Sequence, residues 1–454
     1  MRKYFGTDGI RRIANTELSP ELVYKVAKAG AYVLSKHTDH TPTIFIGRDT
    51  RISGTLIESA MVAGFLSYGA NVKLLGVIPT PGVAYLTKRY KADASVVISA
   101  SHNTFEFNGI KYFSNKGMKI PDIIEEEIEA IMDSGKLEEL TATNEKIGVS
   151  ENREDLLEEY VYFFRKNFEE ELENYDKSNF KVAIDTANGA TYKVAEQVFK
   201  KLGIPHTIIN NTPDGININE NCGSTHLGSL KKFVVENGYN LGIAYDGDGD
   251  RCLAVDEKGN EMDGDKIMAI ISHNLQEKGK LAKDTLVATV MSNLGMKKYA
   301  QENNMQFIQT KVGDRYVLEE MLKNGYNLGG EQSGHIILLD YNPTGDGMLT
   351  SLMLIRTMLE KQKTASELCK IVKIYPQVLV NAKVASDKKH DYEKDPEIKQ
   401  AIELLENEFS GNGRVLIRPS GTEPLVRVMI EGENQEVITT KAKDLAELIE
   451  KKLK

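Results

Sequence analysis

The stretch LGIAYDGDGDR, residues 241–251, organises the rest of this chain. Its first five residues are small or apolar and predict a short buried strand. Three aspartates, Asp246, Asp248 and Asp250, then alternate with two glycines that remove the Cβ atoms from the turn. Carboxylates ~5 Å apart repel by ~3 kcal/mol per pair at an effective dielectric constant of ~20, so positive charge must lie among them. Because Mg²⁺ and Ca²⁺ prefer such oxygen ligands, the stretch predicts a divalent metal site.

Two other interpretations of this loop are weaker. In an EF-hand, the aspartates would occupy positions 1, 3 and 5 and Glu257 position 12, but Arg251 stands where the turn needs glycine. The flanking residues also alternate like strands rather than helices. A solvated acidic turn is the second alternative, although surface turns rarely concentrate unpaired charge directly behind a buried strand.

Composition places the chain among ordinary soluble proteins. With 454 residues, the length favours about three domains. Hydrophobic residues make up 41% and charged residues 27%, and a net charge of −9 argues against a general nucleic-acid binder. The three cysteines, Cys222, Cys252 and Cys369, are scattered, which is typical of a reducing compartment. Since no apolar run reaches the ~18 residues of a membrane span, we expect a cytoplasmic protein without a membrane partner.

One order of elements occurs three times along the chain. Residues 43–98, 181–245 and 285–328 each show the same order of elements: strand, glycine-bearing turn, helix, strand, second helix and strand. Each repeat ends in a polar loop, and similar order without similar sequence indicates related α/β domains. Because α/β sheets bind ligands beyond the carboxyl ends of their strands, we expect the three loops to face one cleft.

These patterns predict an α/β protein with three related α/β domains, built on mixed sheets around a central cleft, and a smaller C-terminal α+β domain. The predicted domains are residues 1–150 with a serine loop, 151–254 with the aspartate loop, 255–372 with a sugar-binding loop, and 373–454 with a phosphate-binding loop. The last domain departs from the repeat. Its hairpin tip, RPSGTEP (418–424), has a guanidinium, two hydroxyls and a glycine suited to phosphate oxygens, and a plain hairpin tip is the alternative.

The loop SASHN, residues 99–103, favours phosphoryl chemistry. A Ser-His-Asp triad fits poorly, because adjacent Ser101 and His102 normally point apart and there is no GxSxG elbow. A phosphorylated serine carries about −2 charge, which beside three aspartates makes about −5 and leaves about −3 after one divalent ion. Arg251, Lys111 and an arginine of the first loop could supply the balancing charges, and a desolvated Lys111 could act as general base.

The third loop, GEQSGH at residues 330–335, carries groups suited to a sugar. Glu331 and Ser333 can bind sugar hydroxyls or an amine, and His335 can donate or accept a proton. A merely structural role for the lone histidine is the alternative.

Six motifs in sequence order resemble those of the α-D-phosphohexomutase superfamily, and the similarity covers essentially the whole chain. They are FGTDGIR (5–11), SASHN followed by NGIKYF (99–113), DGDGDR (246–251), KVGDRYV (311–317), GEQSGH (330–335) and RPSGTEPLVRVMIEG (418–432). The resemblance is strongest to bacterial members that act on glucosamine phosphates. Three departures, Arg12 for glycine, Thr104 for proline and Phe107 for an acidic residue, affect the shape and charge of the first two loops and leave the reactive groups in place.

The resemblance implies a role for each motif. Ser101 would be the phosphorylated serine, its phosphate would bind Mg²⁺ together with Asp246, Asp248 and Asp250, and Arg11 and Lys111 would assist transfer. His102 and His335 are further catalytic candidates. The implied substrate-binding residues are Arg251, Lys311, Gly313, Asp314, Arg315, Glu331, Ser333, Arg418, Ser420, Gly421, Thr422 and Arg427.

The implied activity is a mutase that interconverts glucosamine 6-phosphate and glucosamine 1-phosphate. A phosphoserine enzyme and a sugar 1,6-bisphosphate, which is both intermediate and activator, would carry the reaction toward UDP-N-acetylglucosamine and the cell wall. Relatives acting on glucose or mannose phosphates are the nearest alternative, followed by a metal-dependent sugar phosphatase and a phosphosugar-binding sensor. A homodimer and activating phosphorylation of Ser101 are further options that the sequence leaves open.

Overall fold

The computed structural model describes residues 3–6, 8–420 and 423–454. These form two compact units. The first comprises residues 1–291 and 308–370, and the second comprises residues 292–307 and 371–454. Among the described residues, no helix combines the length and the apolar composition that crossing a membrane requires.

The first sheet has six strands in the order β1-β5-β4-β2-β3-β6. Its elements are β1 (Ile10–Ile13), α1 (Pro20–Ser35), β2 (Thr43–Arg48), α2 (Gly54–Tyr68), β3 (Asn71–Val77), α3 (Thr80–Tyr90), β4 (Ala94–Ile98), β5 (Phe107–Ser114), α4 (Asp122–Asp133) and β6 (Ser150–Asn152). Local chemistry sets the helix ends. Ser19 caps α1 by accepting from the Leu22 N–H, and α2 stops at Gly69, whose φ of 104° lies in the left-handed region.

The second sheet has five strands in the order β11-β10-β9-β7-β8. Helix α5 (Leu157–Glu173) precedes β7 (Val182–Asp185), α6 (Tyr192–Lys201), β8 (His206–Ile209), α7 (Gly228–Asn237), β9 (Leu241–Tyr245), β10 (Cys252–Asp256) and β11 (Glu261–Met262). The aspartate loop therefore joins two antiparallel strands, β9 and β10, which confirms that it is not an EF-hand.

The third sheet has four strands in the order β13-β12-β14-β15. After α8 (Gly264–Glu277) come β12 (Thr285–Thr289), α9 (Leu294–Glu302), β13 (Gln306–Thr310), α10 (Asp314–Asn324), β14 (Leu328–Gly330), β15 (Ile336–Leu338), α11 (Gly347–Lys361) and α12 (Ala365–Leu368).

The predicted repeat is confirmed in the three sheets. Each has a central parallel pair, β2 with β4, β7 with β9, or β12 with β14, and an antiparallel strand beside the second member of that pair. The central strands are buried except at the two ends of β2, as expected for strands covered on both faces. All three sheets are therefore mixed, as expected.

The fourth sheet is small and entirely antiparallel, in the order β16-β18-β17. Its elements are β16 (Gln377–Lys383), α13 (Pro396–Glu408), β17 (Gly413–Pro419), β18 (Leu425–Gly432) and α14 (Gln435–Leu453). Alternate residues of β18, Val426, Val428 and Ile430, share a core with Leu445 and Ile449 of α14. This α+β module agrees with the sequence pattern.

The domain boundaries remain predictions, and two of them fall inside strands. The boundary at 150/151 lies within β6, and that at 254/255 lies within β10, which continues to residue 256 and pairs with β11. Both strands lie outside the predicted repeat, β6 at the edge of the first sheet and β10 beyond the last strand of the second repeat, β9.

Candidate active site

The three predicted loops meet in one cleft of the first unit. They follow β4, β9 and β14, and the hydroxyl of Ser101 donates to Asp246 Oδ2 at 2.7 Å. From the third loop, His335 Nε2 lies 3.9 Å from Asp250 Oδ2. The expected central cleft is therefore confirmed.

The aspartate loop folds back so that its carboxylates converge. Asp246, Asp248 and Asp250 are buried, and each offers an oxygen within 4.8 Å of the others. Gly249 has a φ of +71°, and a Cβ on Gly247 would lie 2.6 Å from the Ser101 carbonyl oxygen. The two glycines are therefore needed, one for the turn and one for the close approach of the serine loop.

The donor set fits a divalent cation. Asp248 Oδ1 and Asp250 Oδ1 are buried and have no hydrogen-bond partner among the described residues. Unpaired buried carboxylate oxygens are costly, so a ligand is expected at them. Asp246, Asp248 and Asp250 would bind Mg²⁺, which prefers oxygen ligands.

Lys111 supplies positive charge inside the cluster. Its Nζ lies 3.0 Å from Asp248 Oδ2, 3.2 Å from Asp8 Oδ2 and 3.8 Å from Asp250 Oδ2. Burial alone would lower the pKa of Lys111, but these carboxylates outweigh it and raise the pKa above its usual value. The ammonium form is therefore favoured, which does not support the role of general base expected from the sequence.

The aspartates differ in protonation. Burial, followed by repulsion from Asp250 and Asp248, raises the pKa of Asp246 well above its ordinary value. Burial alone would raise the pKa of Asp248. The Lys111 ammonium and the Thr80 hydroxyl outweigh burial and lower that pKa. The Thr80 hydroxyl donates to Asp248 Oδ2 at 2.7 Å, a contact that the sequence analysis missed.

Ser101 is held in an unusual conformation. It is buried with a φ of +53°, and its Oγ lies 3.3 Å from His102 Nδ1. The expectation that Ser101 and His102 point apart was wrong, because the left-handed backbone turns Ser101 toward its neighbour. Burial, aided by Arg251 and Arg11, lowers the pKa of His102 to about 4, so the ring is neutral near pH 7.

Two arginines were expected to neutralise the aspartates. Arg251 Nε lies 4.0 Å from Asp250 Oδ1, in agreement with that role. Arg11 instead donates to Asn103 Oδ1 at 3.1 Å and to Asp8 Oδ2 at 3.2 Å. The first loop therefore brings Asp8 as well as Arg11 to the site.

A cavity of about 380 Å³ opens beside the aspartates. Predicted residues in its lining are Arg251, Gly313, Asp314, Glu331, Ser333 and His335, and unpredicted ones include Asp8 and Lys119. Glu331 accepts from the Gly313 N–H at 3.2 Å, and burial raises its pKa. Neither ring nitrogen of His335 has a hydrogen-bond partner among the described residues, and its Nε2 lies 3.6 Å from Asp314 Oδ2.

Lys119 is the main residue of this cavity that sequence reasoning missed. It donates to Asp8 and, at 2.6 Å, to Asp314 Oδ2, and so links the first loop to the start of α10. A single lysine outside a motif gives no signal of such a role.

Two predicted substrate-binding residues lie elsewhere. Lys311 is exposed, with its ammonium 5.9 Å from the Tyr316 ring. Arg315 pairs with Asp122 and Glu125 and joins α10 to α4 instead of lining this cavity.

In the second unit, Arg418 and Arg427 stand directly opposite each other on β17 and β18. Burial and then the charge of Arg427 lower the pKa of Arg418. Ser420 is buried, and its carbonyl accepts from Lys389 Nζ at 2.9 Å. Two adjacent guanidinium groups favour an anion. Gly421 and Thr422, also predicted here, lie outside the described residues.

Known protein families match nearly the whole chain. Four domains described as phosphoglucomutase/phosphomannomutase cover it in order: alpha/beta/alpha domain I at residues 2–139, domain II at 158–259, domain III at 263–375 and the C-terminal domain at 379–448.

Individual relatives agree with these families. Phosphoglucosamine mutase of Clostridium acetobutylicum is 55% identical over 452 residues, covering 100% of both chains. A phosphoglucomutase/phosphomannomutase family protein of Burkholderia thailandensis superposes with a TM-score of 0.81 at 19% identity, over 98% of this chain and 97% of that one. N-acetylphosphoglucosamine mutase of Aspergillus fumigatus, in complex with GlcNAc-6P and magnesium, gives 0.67 at 16% identity, over 100% and 96%. At these identities the two structures show a shared fold.

Proposed function

This chain belongs to the phosphoglucomutase/phosphomannomutase family, and we propose that it interconverts glucosamine 6-phosphate and glucosamine 1-phosphate. The choice of an amino sugar rests on the similarity to its 55%-identical Clostridium relative, a phosphoglucosamine mutase. The reaction would supply UDP-N-acetylglucosamine for cell-wall synthesis. The observation that carries the chemistry is the 2.7 Å hydrogen bond from Ser101 Oγ to Asp246, the first of three clustered aspartates.

Ser101 is the phosphoryl carrier in this proposal. The bond between Ser101 Oγ and phosphorus breaks while the sugar hydroxyl forms a new bond to the same phosphorus, which yields a sugar 1,6-bisphosphate. The bisphosphate then turns round, and its other phosphoryl group returns to Ser101. When bound at the three aspartates, Mg²⁺ supplies charge neutralisation for the phosphoryl oxygens.

The other residues of the proposed site have separate roles. Lys111, held as an ammonium, balances negative charge at the phosphoryl group, and Arg11 orients the loop through Asn103. His335 lines the cavity, its ring nitrogens have no hydrogen-bond partner among the described residues, and in this proposal it takes or returns the proton of the sugar hydroxyl. Glu331 and Ser333 bind the sugar, and Arg418 and Arg427 bind the phosphate that is not reacting.

Several accompanying assignments remain predictions. They are Mg²⁺ as the metal, the bisphosphate as activator, phosphorylation of Ser101 at rest, a homodimer, a cytoplasmic location and the three boundaries between the four domains. Magnesium is supported by the three convergent carboxylates of this chain and by its presence with a fungal relative.

The alternative substrates are glucose and mannose phosphates, which the description of the matched families favours. A panel of glucosamine, N-acetylglucosamine, glucose and mannose 1-phosphates, assayed with Mg²⁺ and the corresponding bisphosphate, distinguishes them. We expect the highest kcat/KM with glucosamine 1-phosphate and no net release of phosphate. Faster turnover of a neutral sugar would reject the amino-sugar assignment, and stoichiometric phosphate release would indicate a phosphatase.

A further inference from the structure

Two carbonyl oxygens of the serine loop, those of Ser101 and Asn103, each accept hydrogen bonds from two side chains. Arg51 Nη2 donates to them at 3.0 and 2.8 Å, and Asn219 Nδ2 donates to both at 2.9 Å. Arg51 lies between β2 and α2, beside the first sheet, whereas Asn219 lies between β8 and α7, beside the second. The serine loop is therefore held from two domains at the same two atoms.

Arg51 is committed to this loop. Its side chain is fully buried, and its Nε donates to Asp49 Oδ2 at 2.8 Å. Its Nη1 donates to the carbonyl oxygens of Thr104 and Phe107, so that all five N–H donors of the guanidinium have acceptors. Four of the five acceptors are main-chain carbonyls of residues 101–107, and such a fan-shaped set of bonds requires a planar guanidinium.

A second route runs from Arg51 to the amide side of Ser101. The same Asp49 Oδ2 accepts from the Ser99 hydroxyl at 2.6 Å, and Ser99 Oγ accepts from the Ser101 N–H at 2.9 Å. The N–H and the carbonyl oxygen of Ser101 are thus both held by buried partners. This matters because Ser101 has a φ of +53°, a conformation that is unfavourable for a non-glycine residue and needs support.

Asn219 ties the loop to the metal-binding side of the cleft. It is buried with a φ of 58°, and its N–H donates to the Ala187 carbonyl at 2.9 Å. A Cβ on Gly247, inside the aspartate loop, would lie 2.7 Å from Asn219 Nδ2 and 2.6 Å from the Ser101 oxygen. The Asn219 amide therefore fills the space where serine loop and aspartate loop pass each other.

We propose that Arg51 and Asn219 are positioning residues that hold Ser101 in its left-handed conformation and in register with the aspartates. Neither has a role in the chemistry assigned above, and the inference rests on the proposed function of Ser101. We call this pair, Arg51 and Asn219, the clamp. Loss of either residue leaves the reactive groups present but misplaced. Because a misplacement of about 1 Å costs about 100-fold in rate, the effect falls on kcat rather than on substrate binding.

A matched pair of variants tests the clamp in the full-length protein. Asn219 and Asn221 lie in one loop with similar positive φ values of 58° and 51°, and the Asn221 side chain is exposed. Replacing either by glycine retains the backbone conformation at a similar cost in chain entropy, but only Asn219→Gly removes the donor. Arg51→Lys, which keeps charge without the fork of donors, is the second variant.

Hydrogen–deuterium exchange of the peptide 99–107 and steady-state kinetics with glucosamine 1-phosphate are measured on each protein. We expect faster exchange and a kcat lowered about 10- to 100-fold with unchanged KM for Asn219→Gly and Arg51→Lys, and wild-type values for Asn221→Gly. Unchanged exchange in Asn219→Gly, or equal effects of both glycine variants, would overturn the clamp. If Arg51→Lys does not fold, the glycine pair alone decides. Inactivity of the wild type would contradict the proposed function instead, while the exchange data still test the clamp.

Discussion

Lys111 Nζ lies 3.0 Å from Asp248 Oδ2, whereas Asp246 Oδ2 accepts a hydrogen bond from the neutral hydroxyl of Ser101. This difference separates two carboxylates that look equivalent in the sequence. The ammonium lowers the pKa of Asp248, and burial with neighbouring carboxylates raises that of Asp246. Without metal, the charged form is therefore favoured at Asp248 and disfavoured at Asp246.

Asp246→Asn and Asp248→Asn should both weaken Mg²⁺ binding but should differ in metal-free stability. Asp246→Asn removes a carboxylate whose charged form is disfavoured, so the free energy of unfolding should stay the same or rise. Asp248→Asn removes a partner of the buried Lys111 ammonium and should lower the free energy of unfolding by about 1.5–3 kcal/mol. Urea unfolding in EDTA and Mg²⁺ titration by calorimetry check both statements. Equal destabilisation by the two substitutions would contradict the unequal protonation.

Ser101→Ala should reduce turnover by several orders of magnitude, because it removes the group that carries the phosphoryl. The fold should persist, since the deleted hydroxyl has only Asp246 and His102 as hydrogen-bond partners among the residues described. Intact-mass analysis should find a phosphate adduct on wild type and on the exposed-site control Ser134→Ala, and none on Ser101→Ala. Normal activity in Ser101→Ala would reject the assignment.

Arg418→Ala should lower kcat/KM about 10- to 150-fold, because a charge-assisted contact to phosphate contributes about 1.5–3 kcal/mol. We expect a higher KM and more escape of bisphosphate into solution. Lys443→Ala, at an exposed position of α14, is the control. Transfer from phosphorylated Ser101 to a small acceptor should stay normal in Arg418→Ala. If that step fails together with mutase activity, Arg418 acts in bond breaking and the phosphate-binding role is wrong.

The stability of the protein between pH 4 and 6 should depend on Asp346, the N-cap of α11. Burial raises its pKa from 3.8 to about 6, although the Leu349 N–H and the Tyr160 hydroxyl oppose the shift. The native state therefore binds the proton more tightly than the unfolded state, and this stabilisation is complete below pH 3.8 and lost as the pH rises through about 6.

Asp346→Asn should accordingly flatten the decline in unfolding free energy over this range, by roughly 3 kcal/mol at most. Urea unfolding at pH 4.5 and 6.5 measures the change, with the exposed-site substitution Asp444→Asn as control. An unchanged slope in Asp346→Asn would show that other groups determine the pH dependence.

Much of the candidate site could be predicted from local sequence patterns. A buried strand followed by DGDGDR located the three convergent carboxylates, and the strand ends located Ser101 and Glu331, because sheet geometry brings such loops together. Arg315 was misplaced because a motif gives a residue's position in the chain and not the direction of its side chain. Arg51 ends the stretch GRDTR, residues 47–51, and its partners include carbonyl oxygens of residues 101–107, which no side-chain pattern records.

The three-fold α/β repeat, the family and the convergence of its loops could be predicted from the sequence, since periodicity and loop position depend on short-range chemistry. The distribution of charge within the site could not, because it depends on contacts between distant parts of the chain. Lys119 joins Asp8 to Asp314, Lys111 pairs with Asp248, and Asn219 reaches the serine loop from another domain. Each of these contacts joins residues more than 100 positions apart in sequence. Such contacts depend on domain packing, which local patterns do not encode.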